Sequence, residues 1–328
     1  LRLVNRDEVE IPVQSNGQLT AVIVKIRHAQ GFYGAVRRLG GLLDWQEPPP
    51  AMQRQQRCTG LAMTQHLTHL GFRFFRPTTA LQPLVQCYWH IRCHVGQSAL
   101  ADEFLHPEGG SGVVFNFADP LIFNGQPYLS PCLLIGPAQR TGTLTLSGQV
   151  DAIGVRFYPG AAHAFFQLPL AELHGCLLPV TDLPLEASWQ QVWEAGTAAE
   201  RVQQIELWLL RQLDVQLQAK NPLLAVLPSL PDSGQFSTAE LARRMALGER
   251  QVERLFRQWV GLTPKQLARI RRVQHARELL KIPQTDLTGT AYNAGYFDQA
   301  HFIHDFKQVV GLTPGQYRQR LKQRDRLE

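Results

Sequence analysis

Val252-Glu253-Arg254-Leu255-Phe256-Arg257-Gln258-Trp259-Val260-Gly261-Leu262-Thr263-Pro264 has a counterpart in Phe302-Ile303-His304-Asp305-Phe306-Lys307-Gln308-Val309-Val310-Gly311-Leu312-Thr313-Pro314. Phe256 and Phe306, Val260 and Val310, and the two Gly-Leu-Thr-Pro runs all stand 50 residues apart. Register held over so many positions marks an internal duplication, and two copies are too few for a solenoid. A small module is therefore used twice. In the first copy Ser237-Thr238-Ala239-Glu240 reads as a helix start, a hydroxyl cap with a glutamate three residues on. Leu241, Ala242 and Met245 give that helix an apolar face, and Ala246-Leu247-Gly248 makes a turn. A second helix then carries Val252, Leu255, Phe256 and Trp259 on one side. Two short helices joined by a Gly-containing turn have the anatomy of a helix-turn-helix.

The opposite side of the second helix indicates what it meets. With Val252 inward, a turn of ~100° per residue sends Arg250, Arg254 and Arg257 outward together. Guanidiniums on one stripe repel unless an anion lies across them, and Arg suits guanine O6/N7 or phosphate in a DNA major groove. A merely solvated basic face is the bland alternative, and the duplicated context weighs against it.

These residues resemble the AraC/XylS family of bacterial transcription regulators. The resemblance is carried by Leu241-Ala242, Arg254-Leu255-Phe256, Ala276-Arg277-Glu278-Leu279-Leu280, Ala291, Gly295-Tyr296, Phe302, Phe306-Lys307, both Gly-Leu-Thr-Pro runs and Tyr317-Arg318. It implies an all-α domain over 236–322, with helix-turn-helix units at 237–260 and 286–310 held by a linker helix at 265–281. By position, the implied base-facing residues are Arg250, Glu253 and Arg254 in the first unit, and Gln299, Ala300 and His304 in the second; Arg257 and Lys307 complete the expected DNA contacts. It also implies double-stranded DNA and RNA polymerase as partners, a homodimer, a cytoplasmic activator and no cofactor. Two departures stand out. Gly248 replaces the usual serine cap of the first recognition helix. The second unit opens with Leu287-Thr288-Gly289-Thr290, where a Gly inside a helix costs about 1 kcal/mol. The second unit is therefore expected to be softer and to read less sequence.

Charge supports this division. Residues 237–328 hold 17 Lys and Arg against 9 Asp and Glu, whereas residues 1–236 hold 16 against 18. A basic carboxyl-terminal module behind a mildly acidic remainder suits a nucleic-acid binder with a separate control domain. No apolar run approaches the ~18 residues of a membrane span, and the opening residues lack a signal-peptide core. Five cysteines without CxxC spacing suggest reduced thiols.

Residues 1–62 receive no function. Leu19–Ile26 reads as a strand, but Gly40-Gly41, Pro48-Pro49-Pro50 and Gln53-Arg54-Gln55-Gln56-Arg57 read as loop. A native start at Met52 or Met63 and a genuine flexible arm are both open readings. Residues 63–220 form a β-rich, barrel- or sandwich-like domain with carboxyl-terminal helices, so the fold class is α+β. Strands are expected at Phe72–Phe75, Val85–Val95, Val113–Phe117, Leu133–Gly136, Leu144–Leu146 and Ala152–Phe157, and helices at 159–168, about 185–195 and 198–217. Leu81-Gln82-Pro83-Leu84-Val85, His106-Pro107-Glu108-Gly109 and Gly154-Val155-Arg156-Phe157-Tyr158-Pro159-Gly160 resemble a poorly understood domain preceding the same double module in some regulators. That resemblance implies a sensory or assembly role. Residues 221–235 are the linker, part packed as a short helix and the rest free to flex.

Catalysis finds little support. Cys87, His90, Cys93 and His94 alternate along a strand, which puts cysteines and histidines on opposite faces and away from one tetrahedral metal site. No GxSxG or HExxH is present. Arg156 in an apolar strand needs an anion, either Asp151, Glu108 or an acidic small-molecule effector. The stripe of Val202, Ile205, Leu209 and Leu213 must be buried against its own domain or against a second copy. The resulting expectation is a DNA-binding regulator and no enzyme. A DNA-binding-deficient antagonist, or a repair-type enzyme with a DNA-binding tail, remain as rivals.

Overall fold

A computed structural model describes residues 2–5, 8–15, 18–25, 72–95, 103–180, 189–214, 220–282 and 285–324. Residues 1–57 form a compact unit of their own. Its described strands β1 (Arg2–Asn5), β2 (Glu8–Ser15) and β3 (Gln18–Lys25) pair antiparallel in chain order, from Glu8 opposite Lys25 to Ser15 opposite Gln18. The expected strand at Leu19–Ile26 is β3, and the sequence reading missed its two partners.

The second unit, residues 58–328, begins with ten strands: β4 (Arg73–Phe75), β5 (Val85–Val95), β6 (Glu103–Leu105), β7 (Gly112–Asn116), β8 (Leu121–Phe123), β9 (Gln126–Tyr128), β10 (Cys132–Ile135), β11 (Gly142–Thr145), β12 (Gly148–Phe157) and β13 (Leu177–Pro179). They make a six-stranded sheet, ordered β13-β10-β7-β12-β5-β4, and a four-stranded sheet, ordered β6-β11-β8-β9. All pairs are antiparallel. Strand periodicity divides the larger sheet's residues between two cores. Val113, Phe115, Ile153 and Val155 pack towards helices, while Val114, Val150 and Ala152 join Leu121, Phe123 and Leu144 between the sheets. The domain is thus a sandwich with helices on one outer face.

Those helices are α1 (His163–Phe166), α2 (Trp189–Glu194) and α3 (Ala198–Gln212). The helix expected over 159–168 is only one turn long, because Gln167 takes a left-handed conformation and ends it. The expected helix at 198–217 begins at a capping box, with Thr197 accepting from Glu200 N–H and Glu200 accepting from Thr197 N–H. Its stripe is buried within the chain. Val202, Ile205, Trp208 and Leu209 are at most 5 % exposed and share a core with Phe115 and Phe166. Of the two readings of that stripe, burial against its own domain is the one the structure realises. Leu217 and the rest of 215–219 lie outside the described residues.

Asp151 straps the same helix to the sheet, accepting from Arg201 at 2.6 Å and from Arg92 at 2.7 Å, with His90 at 3.3 Å. Burial pushes the Asp151 carboxyl up, but the hydrogen bonds from His90, Arg201 and Arg92 outweigh it and hold it well below the usual carboxylate range. His90 Nε2 thus faces the Asp151 carboxylate, and no group of three or more metal-ligating side chains occurs among the described residues.

The linker contains the expected short helix packed on the carboxyl-terminal module, and its remainder is tied down more than expected. Asn221 donates to the Gly160 carbonyl at 3.0 Å, and α4 (Leu223–Val226) with the 3-10 turn Leu227–Ser229 buries Leu223, Leu227 and Leu230 in the core of the first helix-turn-helix unit. Arg271 donates to the carbonyls of Leu227 and Leu230, and Gly234 lies against the backbone of Ala268. Almost the whole connection is held, because leucines at this spacing are costly to leave in water.

Candidate nucleic-acid interface

The carboxyl-terminal module comprises α5 (Thr238–Met245), α6 (Glu249–Trp259), α7 (Pro264–Leu280), α8 (Leu287–Asn293), α9 (Gln299–Val310) and α10 (Pro314–Arg324). Ser237 caps α5 by accepting from Glu240 N–H at 3.1 Å, and Ala246 in the left-handed region ends it. Gly248 is the N-cap of α6 and offers no side-chain bond. Val252, Phe256 and Trp259 are buried, so helical geometry turns Arg250, Glu253, Arg254 and Arg257 to solvent. Among the described residues no carboxylate comes within ion-pair distance of Arg250, Arg254 or Arg257. Three uncompensated guanidiniums lie on one exposed helical face.

The second unit repeats this plan with different chemistry. Asp286 accepts from Gly289 N–H at 2.7 Å, so Gly289 lies in the capped first turn of α8. A Cβ there would come within 2.6 Å of the Asp286 carboxylate. Gly289 is thus inside the helix as expected, as the third residue of its capped first turn. Thr290, fully buried where an aliphatic residue is usual, donates its hydroxyl to the Asp286 carbonyl at 2.6 Å. Asp298 caps α9 through His301 N–H at 2.7 Å. Phe302, Phe306, Val309 and Val310 are buried, leaving Gln299, Ala300, His304 and Lys307 exposed. Gln308 bonds His304 Nε2 at 2.7 Å and accepts from Arg269 at 2.8 Å, so one ring nitrogen of His304 is already engaged.

Sequence reasoning missed two exposed aromatics beside this helix. Phe297, immediately before the N-cap of α9, is 98 % exposed, and Tyr292 is 80 % exposed. Single exposed rings are normal on a protein surface, and these two lie outside the core. Only the adjacency of Phe297 to a capping aspartate could have signalled this.

The sandwich touches both recognition helices at their carboxyl-terminal turns. Leu170 N–H donates to the Gln258 carbonyl of α6 at 3.0 Å, and Thr141 N–H donates to the Val309 carbonyl of α9 at 2.7 Å. Carbonyls in a helix's last turn have no partner within the helix, so these bonds fill positions that water would otherwise take. Arg269 of α7 adds a bond to Gln139 at 3.1 Å, and the His163 and Trp259 rings meet at 4.5 Å. Gly109, at φ +79°, lets the loop after β6 reach α7, since a Cβ there would lie 2.3 Å from Leu267.

Arg156 and Glu108, read as candidate effector contacts, bond to each other at 2.7 Å in the wall of a cavity between the two sheets. Of the two internal carboxylates expected for Arg156, the structure pairs it with Glu108 and not with Asp151.

Residues 241–320 match the family described as Helix-turn-helix domain, and residues 73–179 match a Domain of unknown function (DUF6597). The HTH-type transcriptional regulator GlxA of Rhizobium meliloti is 33 % identical over 100 residues, which are 30 % of this chain and 31 % of that protein. The HTH-type transcriptional activator RhaR of Yersinia pseudotuberculosis is 33 % identical over 85 residues, 26 % of this chain and 29 % of its own. The chain thus spans about a third of the length of these curated relatives. Among solved structures, a Chromobacterium violaceum transcriptional regulator with an AraC-type DNA-binding domain is 25 % identical, covers 33 % of this chain and 93 % of its own, and has a TM-score of 0.28. ToxT of Vibrio cholerae covers 70 % of this chain and 97 % of its own at 11 % identity and a TM-score of 0.36. Residues 241–320 are thus a helix-turn-helix domain of the AraC type, like those of these transcriptional regulators.

Proposed function

We propose that this chain is a sequence-specific transcription regulator that reads double-stranded DNA with α6 and α9, under the control of its sandwich domain. The observation that carries the reading is the stripe of Arg250, Arg254 and Arg257, exposed on a buried-backed helix and without a carboxylate partner among the described residues. In a helix-turn-helix the second helix enters the major groove, where such a stripe meets phosphates and guanine edges. Glu253 between them suits a cytosine N4 donor. Gln299, Ala300, His304 and Lys307 supply a weaker second face, and Phe297 adds apolar contact suited to a thymine methyl group.

Control follows from the seam. The sandwich bonds the last turns of both recognition helices, so any shift of Leu170 or Thr141 is felt by both readers. A ligand that alters the sandwich biases DNA binding by its differential affinity for the two arrangements. RhaR is named as an activator; by analogy, RNA polymerase is the partner this reading expects at a promoter, and a second copy of the chain is a further one. Mobility-shift titration of the full chain, after genome-wide binding has located a site, tests the reading. Binding should weaken steeply with salt, about −0.9 in log–log slope for each phosphate neutralised. A folded chain with no salt-sensitive binding to any recovered site would overturn it.

A further inference from the structure

The space between the two sheets is a cavity of about 270 Å³. Its inner wall is apolar and largely aromatic, with Phe72, Trp89, Phe123 and Leu144 among the lining residues. Trp89 owes its place to Gly154, its partner across the β5–β12 ladder, since a Cβ at that glycine would lie 2.3 Å from the indole. At about 30 Å³ per water the cavity would hold roughly nine waters, yet its inner wall offers them few polar partners. A pocket of this make-up, with a small number of placed polar groups, is that of a small-molecule site.

One of those polar groups has no counterion. Arg277, from α7 of the DNA-binding module, lines the cavity and is 4 % exposed. Its Nε donates to the Tyr317 hydroxyl at 3.3 Å, and its guanidinium carbon lies 5.6 Å from that ring. Among the described residues no carboxylate comes within ion-pair distance of it. Glu108 in the same wall is already bonded to Arg156. His106 reports the same field. Its pKa is pulled down to about 2, by burial first and then by Arg277, Lys281 and Arg320. A charge so deeply buried is favourable only when an anion meets it.

We propose that this cavity binds a small aryl carboxylate, its ring among Phe72, Trp89 and Phe123 and its carboxylate on Arg277. The ligand would then bridge the sandwich and the DNA-binding module, and its head would tie α7 to the sensor. Arg156 and Arg320 share the lining, but Arg156 is bonded to Glu108 and Arg320 lies over the Phe104 ring at 4.0 Å. The one guanidinium left to the ligand suits a monoanion; a phosphate, with a charge of about −1.5 to −2, would stay partly uncompensated in this apolar setting. The inference deepens the proposed regulator and rests on that reading for its effect at DNA. Binding itself is measured without DNA, so the two fail separately.

The test is calorimetric titration of the full chain with 3-phenylpropionate, its neutral analogue 3-phenylpropanol, and octanoate. One acid molecule should bind per chain, at least about ten-fold tighter than the alcohol. Arg277→Gln, checked for folding by thermal unfolding, should bind acid and alcohol alike, and Leu144→Trp, which fills the cavity, should bind neither. Equal binding of acid and alcohol by the wild type overturns the proposal, as does an acid preference that survives in Arg277→Gln. Absence of saturable binding of both acids up to about 10 mM, a ceiling corresponding to less than roughly 3 kcal/mol, overturns it too. If Arg277→Gln does not fold, the wild-type comparison of acid with alcohol decides alone.

Discussion

Thr141 gives both its backbone N–H and its hydroxyl to the carbonyl oxygen of Val309, at 2.7 and 2.9 Å, across 168 residues of sequence. Because the hydroxyl proton goes to Val309, the Thr141 oxygen accepts from His106 Nδ1 at 2.7 Å. A loop of the sandwich, a strand start and a recognition helix are thereby joined in one hydrogen-bonded chain. Thr141→Val keeps the shape but leaves the His106 N–H without an acceptor. Loss of a partner to a buried group costs about 1–3 kcal/mol, so urea denaturation should show a decrease of that size. A change within experimental error would show that the seam contributes nothing here.

The same histidine sets a pH dependence. His106 has a folded pKa of about 2, below the ordinary histidine value of about 6.5. Between these values the unfolded chain binds a proton that the folded chain does not, so stability rises with pH across that window. The contribution is fully present above about pH 6.5 and is lost as pH falls, by at most about 1.4 kcal/mol per unit. Lowering pH from 7 to 5 should reduce the unfolding midpoint, and His106→Gln should flatten that response. A wild type and a variant with parallel pH profiles would refute the assignment.

Unequal recognition helices predict unequal losses. Arg254→Ala should weaken DNA binding by about 1–3 kcal/mol and relax sequence preference at one half of the site. His304→Ala should cost less, because one ring nitrogen is already engaged by Gln308. Both positions are exposed, so thermal unfolding should not change. Matching losses in one binding assay would remove the asymmetry.

Phe297→Ala separates a contact residue from a structural one. At 98 % exposure the ring supports nothing in the free protein, so stability should stay within about 0.5 kcal/mol. Affinity for DNA should nonetheless fall. Unchanged affinity would leave the exposed ring without a role at DNA.

Leu209 on α3 tests where the helix stripe goes. It is fully buried in the sandwich core beside Trp208 and Ile205. Leu209→Glu should destabilise the chain by more than about 4 kcal/mol, since an unpaired charge replaces a core side chain. A folded variant of normal thermal stability would restore the reading of this stripe as a surface for a second copy.

The helical module was legible in the sequence because its information is local. Caps, a period of 3.6 and a 50-residue duplication fix which residues of α6 and α9 are buried and which face outward, before any partner is present. The short strands β6, β8, β9 and β13 were not legible, since three residues each carry too little periodicity. The α3 stripe showed that it must be buried but not against what, for an apolar face is the same whether it meets its own sheet or another chain. Tertiary structure alone decided the bonds from Leu170 to Gln258 and from Thr141 to Val309, the cavity between the sheets, and the burial of Arg277 without a counterion. Each depends on groups far apart in the chain, whose meeting no local pattern encodes. Periodicity says which side of an element is inside, and only packing says what waits there.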